Sequence, residues 1–232
     1  MELNILYQDQ DFLVVNKPAG LTVFPENEAI SEKTLIDYLI EKFPEIKNAG
    51  KAPRYGIIHR LDKDTSGILL VAKNSQTLEF FQKQFQDNKV EKKYLALVVG
   101  QVKNDSGRIE TLIGRAPSDR RKQKVYLAGQ PKAENKREAI TEYKTVEKFK
   151  DYTLLEVLPK TGRKHQIRTH LAYLGHPIVK DPLYGFKNQP EPEGLTRQFL
   201  HAFSLKIATP KGEEKEFRSD LPTELKNAIK NI

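Results

Sequence analysis

The chain has no cysteine, no tryptophan and a single methionine in 232 residues. Without cysteine there can be no disulfide, no thiolate nucleophile and no cysteine-ligated metal. Long apolar runs are missing too. Nothing approaches the roughly 20 consecutive apolar residues of a membrane helix. The opening MELNILYQDQDFLVV lacks the basic start and apolar core of a signal peptide. A cytoplasmic protein that stays out of the membrane is expected. There is no H-E-x-x-H, no carboxylate cluster, no P-loop, no dinucleotide glycine motif and no serine elbow. No metal and no cofactor are therefore expected.

What is present is charge and aromatic bulk. Lysine and arginine number 39 against 31 acids, a net charge of +8, and nine Tyr with eleven Phe supply core material. A basic surface attracts nucleic acid, but anionic membranes and acidic proteins as well. The length suits one domain or two small lobes, and no linker divides the chain, so residues 1–232 are read as a single domain.

Two short strands, Asn4–Tyr7 and Phe12–Asn16, open the pattern. A helix starts at Ser31 with Leu35, Ile36, Leu39, Ile40 and Phe43 on one face. A strand over Gly56–Leu61 precedes a polar loop and a buried apolar strand, Gly67–Lys73. Helical spacing returns over Asn74–Asp87, and Tyr94–Val99 is a further strand. Residues 107–159 read as a meander. Within it Arg115–Arg137 carries eight cations against two acids. His165–Leu174 is a helix closed by Gly175 and Pro177. Phe199–Ala208 is a strand, and Leu221–Asn231 is a last helix with Asp220 as its cap. Strands and helices mix without βαβ alternation, which favours an α+β fold.

Two polar clusters stand out. His59–Gly67 (HRLDKDTSG) lies between apolar segments, where functional groups are often held. By residue type alone it fits a plain turn even better, with Asp62, Asp64, Thr65 and Ser66 bonding their own backbone. Thr161–His170 (TGRKHQIRTH) brings cations to a helix start, where anions bind. It reads equally as a solvated basic helix start with His170 packed into the core.

The run HRLDKDTSGILLVAK (59–73) resembles the signature of the RluA-type pseudouridine synthases, which modify ribosomal and some transfer RNA. NKPAG (16–20), KKYLALVVG (92–100), TGRKHQIRTHL (161–171), GHPIVKDPLYG (175–185) and FLHAFSL (199–205) are similar to that family in the family's order. The resemblance implies a mixed, largely antiparallel sheet with flanking helices and a central catalytic cleft. It implies the catalytic domain without the N-terminal RNA-binding module that many relatives carry. RNA is the implied partner, through a uridine flipped out of a loop, and the protein is expected to act as a monomer.

By the same resemblance Asp62 is the catalytic carboxylate, Arg60 fills the space of the flipped base, and Tyr94 lies against the uracil. Arg168 pairs with Asp62, while Ile167 packs near the uracil or into the core. Lys160, Arg163 and Lys164, with the basic stretch 115–137, are candidates for holding phosphates. The reaction moves uracil from an N1 to a C5 bond on ribose C1′. A carboxylate can attack C1′, attack C6 or take a proton from C2′, and the sequence does not choose. Two other readings remain: a non-catalytic RNA-binding module, and a nucleoside hydrolase. The trio Asp62, Tyr94 and Arg168 argues against the first. The second commonly needs a second acid, and only Asp64 offers itself.

Overall fold

The computed structural model describes residues 2–25 and 32–232. The chain runs through β1 (Asn4–Gln8), β2 (Phe12–Lys17), α1 (Leu35–Lys42), β3 (Ser66–Ala72), α2 (Ser75–Gln86), β4 (Glu91–Val99) and β5 (Ser106–Arg115). It continues through β6 (Gln123–Tyr126), β7 (Arg137–Lys148), β8 (Tyr152–Pro159), α3 (Gln166–Tyr173), β9 (Leu200–Ala208), β10 (Glu214–Arg218) and α4 (Thr223–Lys230). These elements form two compact units: Met1–Glu91 with Ala202–Asp220, and Lys92–His201 with Leu221–Ile232.

In the first unit the strand order is β1-β2-β3-β9-β10. Both β2 and β3 are buried along nearly their whole length, as their continuous apolar sequences require. Alternate residues Phe12 and Val14 of β2 and Ile68 and Leu70 of β3 share a core with Leu78 and Phe81 of α2. The rings of Phe12 and Phe81 meet edge-on at 5.3 Å. Burying each such side chain contributes about 1.5–3 kcal/mol. Helix α2 starts where Asn74 accepts a hydrogen bond from Thr77 N at 2.9 Å. At the start of α1 the Asp37 carboxylate accepts from Thr34 N. The expected start at Ser31 lies outside the described residues.

The sequence reading of Gly56–Leu61 as a strand is corrected. Only Ile57 makes a bridge, to Val71. The segment is apolar and largely buried, but β3 is satisfied there by other means. Ala72 N donates to Gly56 O, and Leu70 N donates to the imidazole Nε2 of His59 at 3.1 Å. A side chain thus stands in for part of a strand ladder.

The second unit has the antiparallel order β4-β8-β7-β5-β6. Burial alternates along β5 and β7, so Ile109, Thr111 and Ile113 face inward with Ala139, Thr141 and Tyr143. Helix α3 begins one residue later than read, because His165 adopts a left-handed backbone with φ 56°. Gly175, at φ +88°, ends the helix as expected. For the last helix Asp220 is not the cap. Pro222 holds φ −55° and ψ 149° and takes the N-cap position. A residue before proline is biased to extended backbone, so Leu221 and Asp220 stay outside the helix. Glu224 in the first turn of α4 accepts from Arg197 Nε at 3.1 Å. The basic stretch 115–137 contains the short strand β6, paired with β5 from Leu112↔Tyr126 to Arg115↔Gln123.

His170 of α3 is fully buried, with its Nδ1 2.8 Å from Thr141 Oγ1 and its Nε2 3.0 Å from Thr111 Oγ1. Gln166 Nε2 donates to the same Thr141 oxygen. The Thr141 hydroxyl hydrogen can therefore point to Nδ1, leaving Nε2–H to donate to Thr111. The structural reading of His170 holds: it ties α3 to β5 and β7. Burial lowers its pKa from 6.5 to about 4. Between those values the unfolded chain binds the proton and the folded chain does not, so stability rises with pH across this window and is lost as pH falls through it. Urea unfolding should show a loss of up to about 3 kcal/mol from this group as pH drops from 6.5 to 4. His170→Gln should flatten that part of the profile; an unchanged slope would count against the buried neutral imidazole.

Candidate active site

In the first unit the HRLDKDTSG run forms a tight loop leading into β3. Thr65 N donates to Asp62 O at 3.1 Å, and Thr65 and Ser66 are buried beneath it. Asp62 itself is half-exposed. Part of the plain-turn reading is therefore right, and the turn presents a carboxylate. Gly67 sits at φ +117°, and a Cβ there would lie 2.2 Å from Ala202 O, so only glycine lets β9 come this close.

The loop is pinned from below by a buried lysine. Lys17 lies opposite Gly67 in the β2–β3 register. Its ammonium donates to the carbonyls of Pro18 (2.7 Å), Leu21 (2.8 Å) and Lys63 (2.9 Å). The NKPAG turn and the residue next to Asp62 are thus fastened to one charge. Arg60 is half-exposed, its guanidinium 5.1 Å from the centre of the Phe24 ring. Arg54 also lies over that ring, at 4.9 Å.

In the second unit Tyr94 is buried on β4 opposite Val157 of β8. Lys92, two residues earlier and so on the same face of the strand, has its pKa pushed down to about 8 by burial and by the charge of Arg163. Arg163 donates from Nε to Glu138 O at 2.7 Å. Burial and the nearby Arg137 lower its pKa as well. Lys164 is exposed, and Lys160 is ion-paired with Glu142 at 3.0 Å. Ile167 is buried in the first turn of α3.

Arg168 is 4% exposed and forms a two-pronged ion pair, Nε to Asp181 Oδ2 at 2.7 Å and Nη2 to Asp181 Oδ1 at 2.8 Å. Asp181 also accepts from the backbone N–H groups of Leu183 and Tyr184. The Tyr184 ring lies 5.2 Å from the guanidinium carbon. The sequence reading assigned no role to Lys17, Asp181 or Tyr184. All three stand in quoted motifs, NKPAG and GHPIVKDPLYG. Asp before Pro signals a turn, but nothing local signals a partner 13 positions earlier.

The arrangement offers a rigidly mounted carboxylate in one unit, and in the other a buried aromatic, a fixed guanidinium and a group of cations. Among the described residues no group of three or more His, Asp or Glu is placed to hold a metal ion, and no helix is long and apolar enough to cross a membrane. Residues 11–173 match the family model described as RNA pseudouridylate synthase. The chain is 39% identical over 233 residues to the uncharacterized RNA pseudouridine synthase YlyB of Bacillus subtilis (strain 168), covering 100% of this chain and 73% of that protein. It is 39% identical over 240 residues to the ribosomal large subunit pseudouridine synthase D of Nitrosomonas europaea, covering 99% of this chain and 66% of that one. Among solved structures, human RNA pseudouridylate synthase domain containing 1 is similar with a TM-score of 0.77 and 32% identity, over 95% of this chain and 84% of that one.

An isomerase that acts on RNA is the class these matches define. The chain belongs to the RNA pseudouridylate synthase family, in its RluA-type branch, and has its fold, a mixed and mostly antiparallel sheet with four helices.

The Lys17 clamp carries its own expectation. Lys17→Met keeps the volume and leaves three carbonyls without that donor. Hydrogen bonds to a charged group contribute about 1.5–3 kcal/mol each. Urea denaturation should show a loss of at least about 2 kcal/mol. A variant as stable as the parent would remove the clamp from the account.

Proposed function

We propose that this RNA pseudouridine synthase isomerises particular uridines in loops of ribosomal or transfer RNA, with Asp62 as the reacting carboxylate. The observation that carries the proposal is a half-exposed Asp62 on a loop fixed by Lys17, within the run HRLDKDTSG. The two units act together as one catalytic domain over 1–232. In support, the matched family residues run from one unit into the other. The enzyme works as a monomer in the cytoplasm.

The reaction breaks the C1′–N1 bond, turns the uracil, and forms a C1′–C5 bond. The proton on C5 leaves and N1 gains one. Atoms balance without any co-reactant. Three first steps are open to the Asp62 carboxylate: attack on C1′, attack on C6, or removal of the C2′ proton. Each requires it to be ionised. Arg168 serves as its cationic partner, since a nearby guanidinium favours the charged form. Tyr94 lies against the uracil and accepts or relays the C5 proton. Ile167 adds apolar contact beside it.

A stacked uridine hides its glycosidic bond, so it must flip out at a cost of a few kcal/mol. Unpaired loops lower that cost. Arg60, braced on Phe24, fills the vacated space. Lys160, Arg163, Lys164 and the cations of 115–137 hold the flanking phosphates. Some relatives are named as acting on the large ribosomal subunit. This keeps ribosomal RNA among the candidate substrates.

Asp62→Asn should lower the rate of pseudouridine formation by at least about 100-fold while RNA affinity stays within a few-fold. Residual turnover near the parent rate would remove Asp62 from the reaction. Tyr94→Phe keeps the aromatic face and loses the hydroxyl. With uridine tritiated at C5, tritium release should fall steeply while affinity changes by less than about 1 kcal/mol. Release at the parent rate would make Tyr94 a packing residue.

A further inference from the structure

We infer that Asp181 and Tyr184 are positioning residues that fix the Arg168 guanidinium for the reaction. The inference rests on the reading of Arg168 as the guanidinium that serves catalysis. Helix α3 alone does not fix that group. An arginine side chain has several rotatable bonds, and Arg168 stands in the first turn of a short helix. What fixes it comes from the segment after the helix. Asp181 presents both carboxylate oxygens to the fork, and its side chain is wholly buried. The carboxylate is itself held by two backbone N–H groups, so it cannot swing with the arginine. The Tyr184 ring covers the guanidinium face.

Tyr184 is in turn fixed. Its hydroxyl accepts from Gln123 N at 2.7 Å and lies 2.9 Å from His165 Nδ1. Gln123 begins β6, inside the basic stretch, and His165 is the left-handed residue just before α3. The chain of contacts thus runs from β6 to Tyr184 to Arg168. Planar bidentate pairing plus ring coverage is what arginine, and not lysine, can use. A guanidinium so held is already in place when RNA arrives.

The test is a double-mutant cycle on kcat and on RNA affinity, using the full chain and a uridine-containing RNA that the parent modifies. Folding is checked by circular dichroism. Asp181→Asn should lower kcat by about 100-fold, the scale for a catalytic group misplaced by about 1 Å. RNA affinity should stay within about three-fold of the parent, well under one misplaced-group effect. If Asp181 acts through Arg168, adding Asp181→Asn to Arg168→Met should cost little further kcat, because residues acting as a unit are not additive. Two independent losses that multiply would make Asp181 merely structural and overturn the inference. A damaged Arg168→Met beside an unaffected Asp181→Asn overturns it too, leaving the reading of Arg168 intact. An Arg168→Met variant with the parent kcat overturns both. Should either variant fail to fold, Tyr184 decides. Tyr184→Leu, which loses the ring, should lose kcat with affinity retained, while Tyr184→Phe, which keeps the ring over the guanidinium but loses the hydroxyl contacts to Gln123 and His165, should lose clearly less. Equal kcat in those two variants overturns the inference.

Discussion

A lysine ammonium is expensive to bury, and Lys17 is buried completely. Three backbone carbonyls around the ammonium make this tolerable. The reverse dependence matters more. Pro18 and Leu21 lie in one turn and Lys63 in another, and among the described residues neither turn has a strand partner for those carbonyls. One charge serves both turns and so fixes how the chain leaves β2 and how the loop bearing Asp62 enters β3. The close approach at Gly67, the burial of Thr65 and Ser66, and the register Lys17↔Gly67 all follow from that fastening.

The second unit solves the same problem with neutral groups. Thr161 donates to Gln166 Oε1, Gln166 donates to Ile140 O and Thr141, and Thr141 and Thr111 hold His170. Inward-facing threonines at positions where alternation calls for apolar residues would be costly if unpaired. Paired in this way, they set the rotation of α3 on the sheet. That rotation sends Arg168 toward Asp181.

Much of this was legible in the sequence. A continuous apolar run marked β3, and helical spacing with Asn74 and Gly175 marked α2 and the end of α3. Local signals failed where the partner was remote or where a side chain replaced backbone. Gly56–Leu61 has a strand's composition, yet His59 supplies a ladder contact through its ring. Asp220 has a cap's chemistry, but Pro222 moved the helix start. The short β6 was hidden in a run of cations and shows only through its pairing with β5. For the site, the motifs drew attention to Asp62, Arg60, Tyr94 and Arg168. Lys17 reaches Lys63 far along the chain, and Asp181 and Tyr184 meet Arg168 from beyond the end of its helix, so no spacing rule points to them.

The strand β6 has four residues and ends the second unit's sheet, with Lys124 and Lys136 both resting over the Tyr126 ring. An open sheet edge is a template on which a neighbouring molecule can add a strand. Here the template is too short and too strongly like-charged for that. Two copies brought together at this edge would face each other with like charges. Lys124 and the cations around it would oppose a second copy at this edge, and salt would screen that repulsion.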